Sequence, residues 1–131
     1  MSKKIIKVSI SSQRLSAYEG NTMFHECPCI TGSEGHETTI GTHTIFKKAH
    51  PYRSKAYDAQ MDYAMFFTSD GQALHKFHGP FDLVRASRKL LGPKYVGSHG
   101  CVRLRETDAQ KLYDWVPAPG KERVTVIISA S

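Results

Sequence analysis

The 131-residue chain contains no uninterrupted apolar run approaching the roughly 20 residues a membrane-crossing helix needs; the longest candidates, around Val124 to Ile128, stop after a few positions. No membrane insertion is expected. A dense basic tract is also missing: the 18 Lys and Arg, against 12 Asp and Glu, are scattered as Lys47-Lys48, Arg85, Arg88-Lys89, Arg103 and Arg105. The net charge of +6 and a pI near 9.3 favour polyanionic surroundings. No nucleic-acid-binding module accompanies that charge, so nucleic acid is not expected as a partner. Nothing repeats, which excludes solenoids and propellers. Cysteines are few and odd in number, three in all. They cannot all pair within one molecule, and Cys27 and Cys29 lie too close in sequence for an easy mutual bridge. A disulfide framework is therefore not expected, at least one thiol is free, and Cys101 becomes the thiol of interest.

The start, Met1 to Ile10, has basic residues, but a Lys and two Ser break the ~7–15 apolar positions that a cleavable leader requires, so it reads as a strand. The expected compartment is the cytoplasm if Met1 is the native start. It is the periplasm or the exterior if a leader has been removed or the chain is delivered by a route needing none.

With 40% hydrophobic and 23% charged residues, the composition is that of one globular domain, spanning 1–131 and expected to be a monomer. Ile6, Val8 and Ile10 alternate with polar neighbours at strand period; Leu15 to Tyr18 and Met23 to Ile30 follow as a β-meander. Thr42 to Phe46, Tyr63 to Thr68, Ala73 to Phe77 and Val124 to Ile128 add further strands, with Asp70-Gly71 as a hairpin turn. Residues 49–60 lack a clear period and read as a long surface loop of the kind that borders a cleft. Leu83, Val84, Ser87, Leu90 and Leu91 recur at helical spacing before the Gly92-Pro93 stop, predicting a short amphipathic helix over Phe81 to Leu91. Thr107 and Gln110 have the form of a capping box ahead of the packing residues Leu112, Tyr113, Trp115 and Val116. The fold class is thus mostly β, a β-sandwich or partly open barrel with two or three short helices.

The most informative stretch is Ser98-His99-Gly100-Cys101-Val102-Arg103. A nucleophilic thiol needs a general base, access for an electrophile, and donors for the oxyanion formed when a carbonyl is attacked. Gly100 permits close approach of backbone to substrate, and Arg103 with the ensuing helix start favours thiolate. Upstream, Leu74-His75-Lys76-Phe77-His78-Gly79 offers two imidazoles. Residues three apart in an extended segment face opposite sides, so one of them should meet Cys101 unless the strand bends. His78 is favoured because Gly79-Pro80 places it at a strand end; His75 reads as structural or surface.

Phe77-His78-Gly79 followed by Ser98 to Leu104 resembles the signature of the L,D-transpeptidase catalytic-domain family of bacterial cell-wall enzymes. Ile30-Thr31-Gly32, Thr39 to Ile45 and Asp108 to Asp114 resemble further parts of that family, so the likeness spans nearly the whole chain. The resemblance implies Cys101 as nucleophile and His78 as general base, its ring oriented by the backbone carbonyl of Gly79. It implies that Ser98 and His99 line the site, that Gly100 and Cys101 offer N–H groups to the oxyanion, and that Arg103 anchors the segment or substrate. Nineteen residues separate His78 from Ser98, somewhat more than the family's usual spacing. The extra length coincides with the 81–91 helix, which is expected to be an insertion covering the cleft as a lid.

The implied activity is acyl transfer on peptidoglycan tetrapeptide stems: a thioester on Cys101 releases terminal D-alanine, and an amine completes L,D-transpeptidation. The alternative is resolution by water, an L,D-carboxypeptidase acting on stems or soluble muropeptides, including in cytoplasmic recycling. A silent wall-binding module using the same cleft is the remaining alternative. No cofactor and no metal are expected. Two readings compete with that: a zinc site built from His75, His78, His99 and Cys101, and a soft-metal site at His25, Cys27 and Cys29.

Overall fold

The computed structural model describes residues 3–131. The chain opens as the predicted meander, β1 (Lys4–Ser9), β2 (Arg14–Glu19) and β3 (Thr22–Pro28), followed by β4 (Gly41–Thr44) and β5 (Lys47–Ala49). Two short strands, β6 (Arg53–Ser54) and β7 (Ala59–Gln60), precede β8 (Ala64–Phe66) and β9 (Ala73–Lys76). After α1 (Phe81–Leu91) come β10 (Val102–Leu104), α2 (Glu106–Trp115) and β11 (Val124–Ser129). Five strands form one sheet in the order β3-β2-β1-β11-β4, and four form a second in the order β10-β9-β8-β5. The first sheet is antiparallel except where β11 lies parallel to β1, with Ile6 opposite Val126. The chain crosses between sheets at Ile45-Phe46, whose N–H groups donate to Val124 O and Phe66 O.

Period-two alternation explains how the sheets pack. Ile6, Val8, Leu15, Val126 and Ile128 point from the first sheet onto Met65, Leu74, Val102 and Leu104 of the second, and Leu112 and Val116 of α2 join them. The opposite face of the second sheet carries Ala64, Phe66, Ala73 and Cys101, which cluster with Met61. That sheet is therefore buried on both faces, which is why β8 reads as the continuous apolar run Ala64-Met65-Phe66. The two packed sheets make a sandwich, not a barrel, and among the described residues the helices number two.

Three local expectations need correction. Residues 49–60 are not a structureless loop, since Arg53-Ser54 pairs antiparallel with Ala59-Gln60. Helix α2 starts one residue ahead of Thr107, and its N-cap is Arg105 with no side-chain cap bond; Glu106 and Asp108 in the first turn complement the helix dipole instead. Helix α1 has its predicted span, but three of the five residues that marked it face outward. It buries Phe81 and Arg88 and leaves Leu83, Leu90 and Leu91 exposed; the Arg88 guanidinium finds three backbone carbonyls, Thr31 at 3.0 Å, Gly32 at 2.9 Å and Val96 at 3.1 Å.

Candidate active site

The outer face of the second sheet is the floor of a cleft of about 220 Å³. Strands β9 and β10 run parallel with Arg103 opposite His75 and Val102 opposite Leu74. Alternation turns Leu74, Val102 and Leu104 into the core and leaves His75, Cys101 and Arg103 on the cleft side. The β6–β7 hairpin supplies a wall through Tyr57, Ala59, Gln60 and Met61. None of the residues 81–91 lines this cleft; α1 docks elsewhere through Arg88, against the expectation of a lid.

The loop carrying Cys101 is fixed from both ends. Ile30 and Arg103 exchange backbone bonds of 3.0 and 2.8 Å, Ser98 N–H donates to Thr31 O at 3.0 Å, and Ser33 N–H donates to Ser98 O at 2.9 Å. Within the loop the buried Ser98 hydroxyl donates to Cys101 O and accepts the Gly100 N–H at 3.1 Å. Thr38 Oγ1 accepts the Gly32 N–H and donates to Gly100 O at 2.8 Å. Gly100 has φ +120°, and a Cβ there would also lie 3.1 Å from Gln72 Nε2, so the turn before the thiol requires glycine. Ser98 lines the cleft as expected and is also a clip inside the loop; the Gly100 N–H is engaged by it, which differs from its expected place in an oxyanion hole.

Cys101 is 5% exposed yet lines the cleft. All three cysteines are free thiols. Burial pushes the Cys101 thiol up to about 11, while the Ala73 N–H and the Arg103 guanidinium pull the other way. Cys29, buried in the core, is pushed up to about 12 by the same desolvation. Arg103 stacks over the Phe77 ring at 4.4 Å, which holds its charge beside the cleft.

Both histidines line the cleft, because the strand ends at Lys76 and the chain bends before His78. Their environments differ. His75 is 6% exposed, and its Nδ1 lies 2.6 Å from Lys76 O. A carbonyl only accepts, so Nδ1 carries the proton and Nε2 presents a lone pair. Burial lowers its pKa to about 4, leaving the ring neutral at neutral pH. His78 lies nearer solvent, with Nε2 3.3 Å from the Asp62 carboxylate. Burial raises the pKa of Asp62, but bonds from the Gln60 side chain and the Tyr52 N–H outweigh it and hold the carboxyl below its usual range. The ring held by the carbonyl of the next residue, which the family resemblance implies for His78 and Gly79, occurs at His75 and Lys76. His99 is exposed at the cleft edge, its ring 4.7 Å from His36 and 6.2 Å from Tyr57.

Lys76, Asp62, Thr38, Gln72 and the β6–β7 wall were missed by sequence reasoning. A backbone carbonyl or a short polar bridge leaves no spacing signal; the clustering of Tyr57, Gln60 and Met61 in a segment already suspected of bordering a cleft was the available hint. Among the described residues, the metal-type ligand atoms that converge within 4.8 Å are those of His25, Cys27 and Asp108, with Asp108 taking the place given to Cys29. His25 Nε2 and Asp108 Oδ1 are already bonded at 2.8 Å. His75, His78, His99 and Cys101 do not converge in this way.

The profile of the L,D-transpeptidase catalytic domain (YkuD) matches residues 3–128. Solved structures similar to this chain include an L,D-transpeptidase from Stackebrandtia nassauensis, at 26% identity and TM-score 0.75, covering 98% of this chain and 58% of that one. An L,D-transpeptidase from Mycobacterium smegmatis aligns at 20% identity and TM-score 0.76, covering 98% and 59%. The C442S mutant of the Enterococcus faecium L,D-transpeptidase aligns at 18% and 0.77, covering 97% and 50%. The chain thus spans less than two thirds of the length of these solved chains. Comparison with curated proteins gives no match. Two packed sheets with a thiol and two imidazoles lining one cleft, together with a profile match over almost every residue, establish that the chain belongs to the L,D-transpeptidase catalytic domain family.

Proposed function

We propose that the protein is a cysteine acyl-transfer enzyme acting on peptidoglycan tetrapeptide stems, with Cys101 as nucleophile and His75, in place of the expected His78, as general base. The observation that carries this reading is the shared cleft face of β9 and the Cys101 segment, with His75 fixed in the tautomer that leaves Nε2 free. At neutral pH the resting pair is a thiol and a neutral imidazole. Burial disfavours the charged form of both groups. Proton transfer is therefore coupled to attack and does not precede substrate.

In the acylation step the Cys101 proton passes to His75 Nε2 as Sγ bonds to the carbonyl carbon of the stem's diamino-acid residue. The Cys101 N–H is the oxyanion donor in this scheme, and Arg103 supplies a nearby positive charge. Collapse breaks the bond to terminal D-alanine, whose amine takes the proton back from Nε2, and a thioester remains. An amine of a neighbouring stem then yields an L,D crosslink; water yields a tripeptide. Ser98 holds the loop, His99 and Arg103 contact substrate, and His78 with Asp62 contributes to the cleft wall.

Mass spectrometry of the protein mixed with a disaccharide tetrapeptide or a carbapenem tests the scheme. A covalent adduct is expected in wild type and in His78→Gln, and none in Cys101→Ala. His75→Gln should acylate 10²–10⁴-fold more slowly, the usual contribution of a positioned base. Loss of acylation in His78→Gln with retention in His75→Gln would return the base to His78. Absence of any wild-type adduct would refute acyl transfer, and dimer or tripeptide as product identifies the acceptor.

A further inference from the structure

A second cavity, of about 470 Å³, opens between the β1–β2 turn and the last turns of α1, away from the cleft of Cys101. Arg85, Arg88 and Lys89 line it with Ser11, Ser12 and Gln13, and no Asp or Glu is among its lining residues. Arg88 is 5% exposed, and its recorded partners are neutral carbonyls. Among the described residues none of the three cations takes part in an ion pair, and Arg85, whose Nη2 donates to Gln13 O at 3.3 Å, has its Nε buried without a hydrogen-bond partner. A buried guanidinium with no counter-charge and an orphaned N–H beside it are each unfavourable by a few kcal/mol in general. The negative end of the α1 dipole offsets part of this at Arg88 and Lys89, in the last turn, but not at Arg85 a turn earlier.

We infer that this cavity binds an anion of the phosphate class, carried on a small molecule or a polymer. The Arg85 guanidinium, the Lys89 ammonium and two hydroxyls offer more donors than the two oxygens of one carboxylate can use, whereas a tetrahedral phosphate can engage several at once. Arg85 and Lys89 would make the direct contacts. Arg88, already committed to Thr31, Gly32 and Val96, supplies the fixed charge behind them. Gln13 closes the cavity floor, held by bonds from its Nε2 to Ile10 O and Thr31 Oγ1. The site is independent of the acyl-transfer reading.

Two-dimensional amide NMR with inorganic phosphate at constant ionic strength tests it, with acetate as the carboxylate control. Saturating shifts confined to Ser11, Ser12, Gln13 and residues 85–93 are expected with phosphate. The half-saturation concentration should rise about tenfold in the exposed-side variant R85Q/K89Q, whose retained fold the same spectra report. Scattered, non-saturating shifts, equal effects of acetate, or an unchanged titration in R85Q/K89Q would each overturn the proposal. Because binding is read without turnover, a failed acylation assay and a failed titration are distinguishable.

Discussion

His75 is uncharged by virtue of its burial, and that neutrality has a cost that grows as protons become available. Its folded-state pKa of about 4 lies below the ordinary value of 6.5, so between these pH values the unfolded chain binds the extra proton. Stability must therefore fall as pH drops from about 6.5 to about 4, by up to about 3 kcal/mol from this one ring. Denaturant titrations of wild type and His75→Gln at pH 7, 5.5 and 4 should show the wild type losing more on acidification. Parallel losses in the two proteins would mean the ring is not the buried neutral group described. The place of Cys101 at the cleft was legible in the sequence because Gly100 and the flanking Ser98, His99 and Arg103 are an unusual setting for a core thiol. That His75 shares the cleft with His78 was not legible, since it depends on where the strand ends, and neither was its bond to the Lys76 carbonyl, which no side chain announces.

At the scale of elements, α1 shows how a helical period can be read correctly and its inner face wrongly. The apolar spacing of Leu83, Leu90 and Leu91 fixed the span, while the inward face is set by Phe81 and by a guanidinium whose carbonyl acceptors come from the Thr31–Gly32 loop and from Val96 just after the helix. One of those acceptors, Thr31 O, also receives the Ser98 N–H, so Arg88 and the Cys101 loop share a support. Arg88→Gln is expected to destabilise the protein by about 2–3 kcal/mol, leaving buried carbonyls without their charged donor. It should also slow acylation by Cys101, whereas Leu90→Gln on the exposed face should change stability by less than about 0.5 kcal/mol. Urea midpoints and carbapenem acylation rates for the two variants check this; equal behaviour would remove Arg88 from the support of the loop. The strands were mostly legible because each half-buried one alternates. The 53–60 hairpin was not, because two-residue strands have no period to read.

Across the whole molecule, β11 lies between β1 and β4, and its alternate residues Val124, Val126 and Ile128 are all core. Removing residues 124–131 should therefore abolish the cooperative unfolding transition and the dispersed amide spectrum, not merely lower the midpoint; a folded truncated chain in circular dichroism and NMR would contradict the central place given to that strand. The parallel neighbours Lys4 and Val124 stand about 120 residues apart along the chain, a separation that makes their pairing a late event. On a ribosome adding ~5–20 residues per second, the first strand waits on the order of ten seconds for its partner. Through that interval a hydrogen-bonding edge destined for the middle of the sheet stands open on nascent polypeptide, a window in which a holding chaperone would have something to grip.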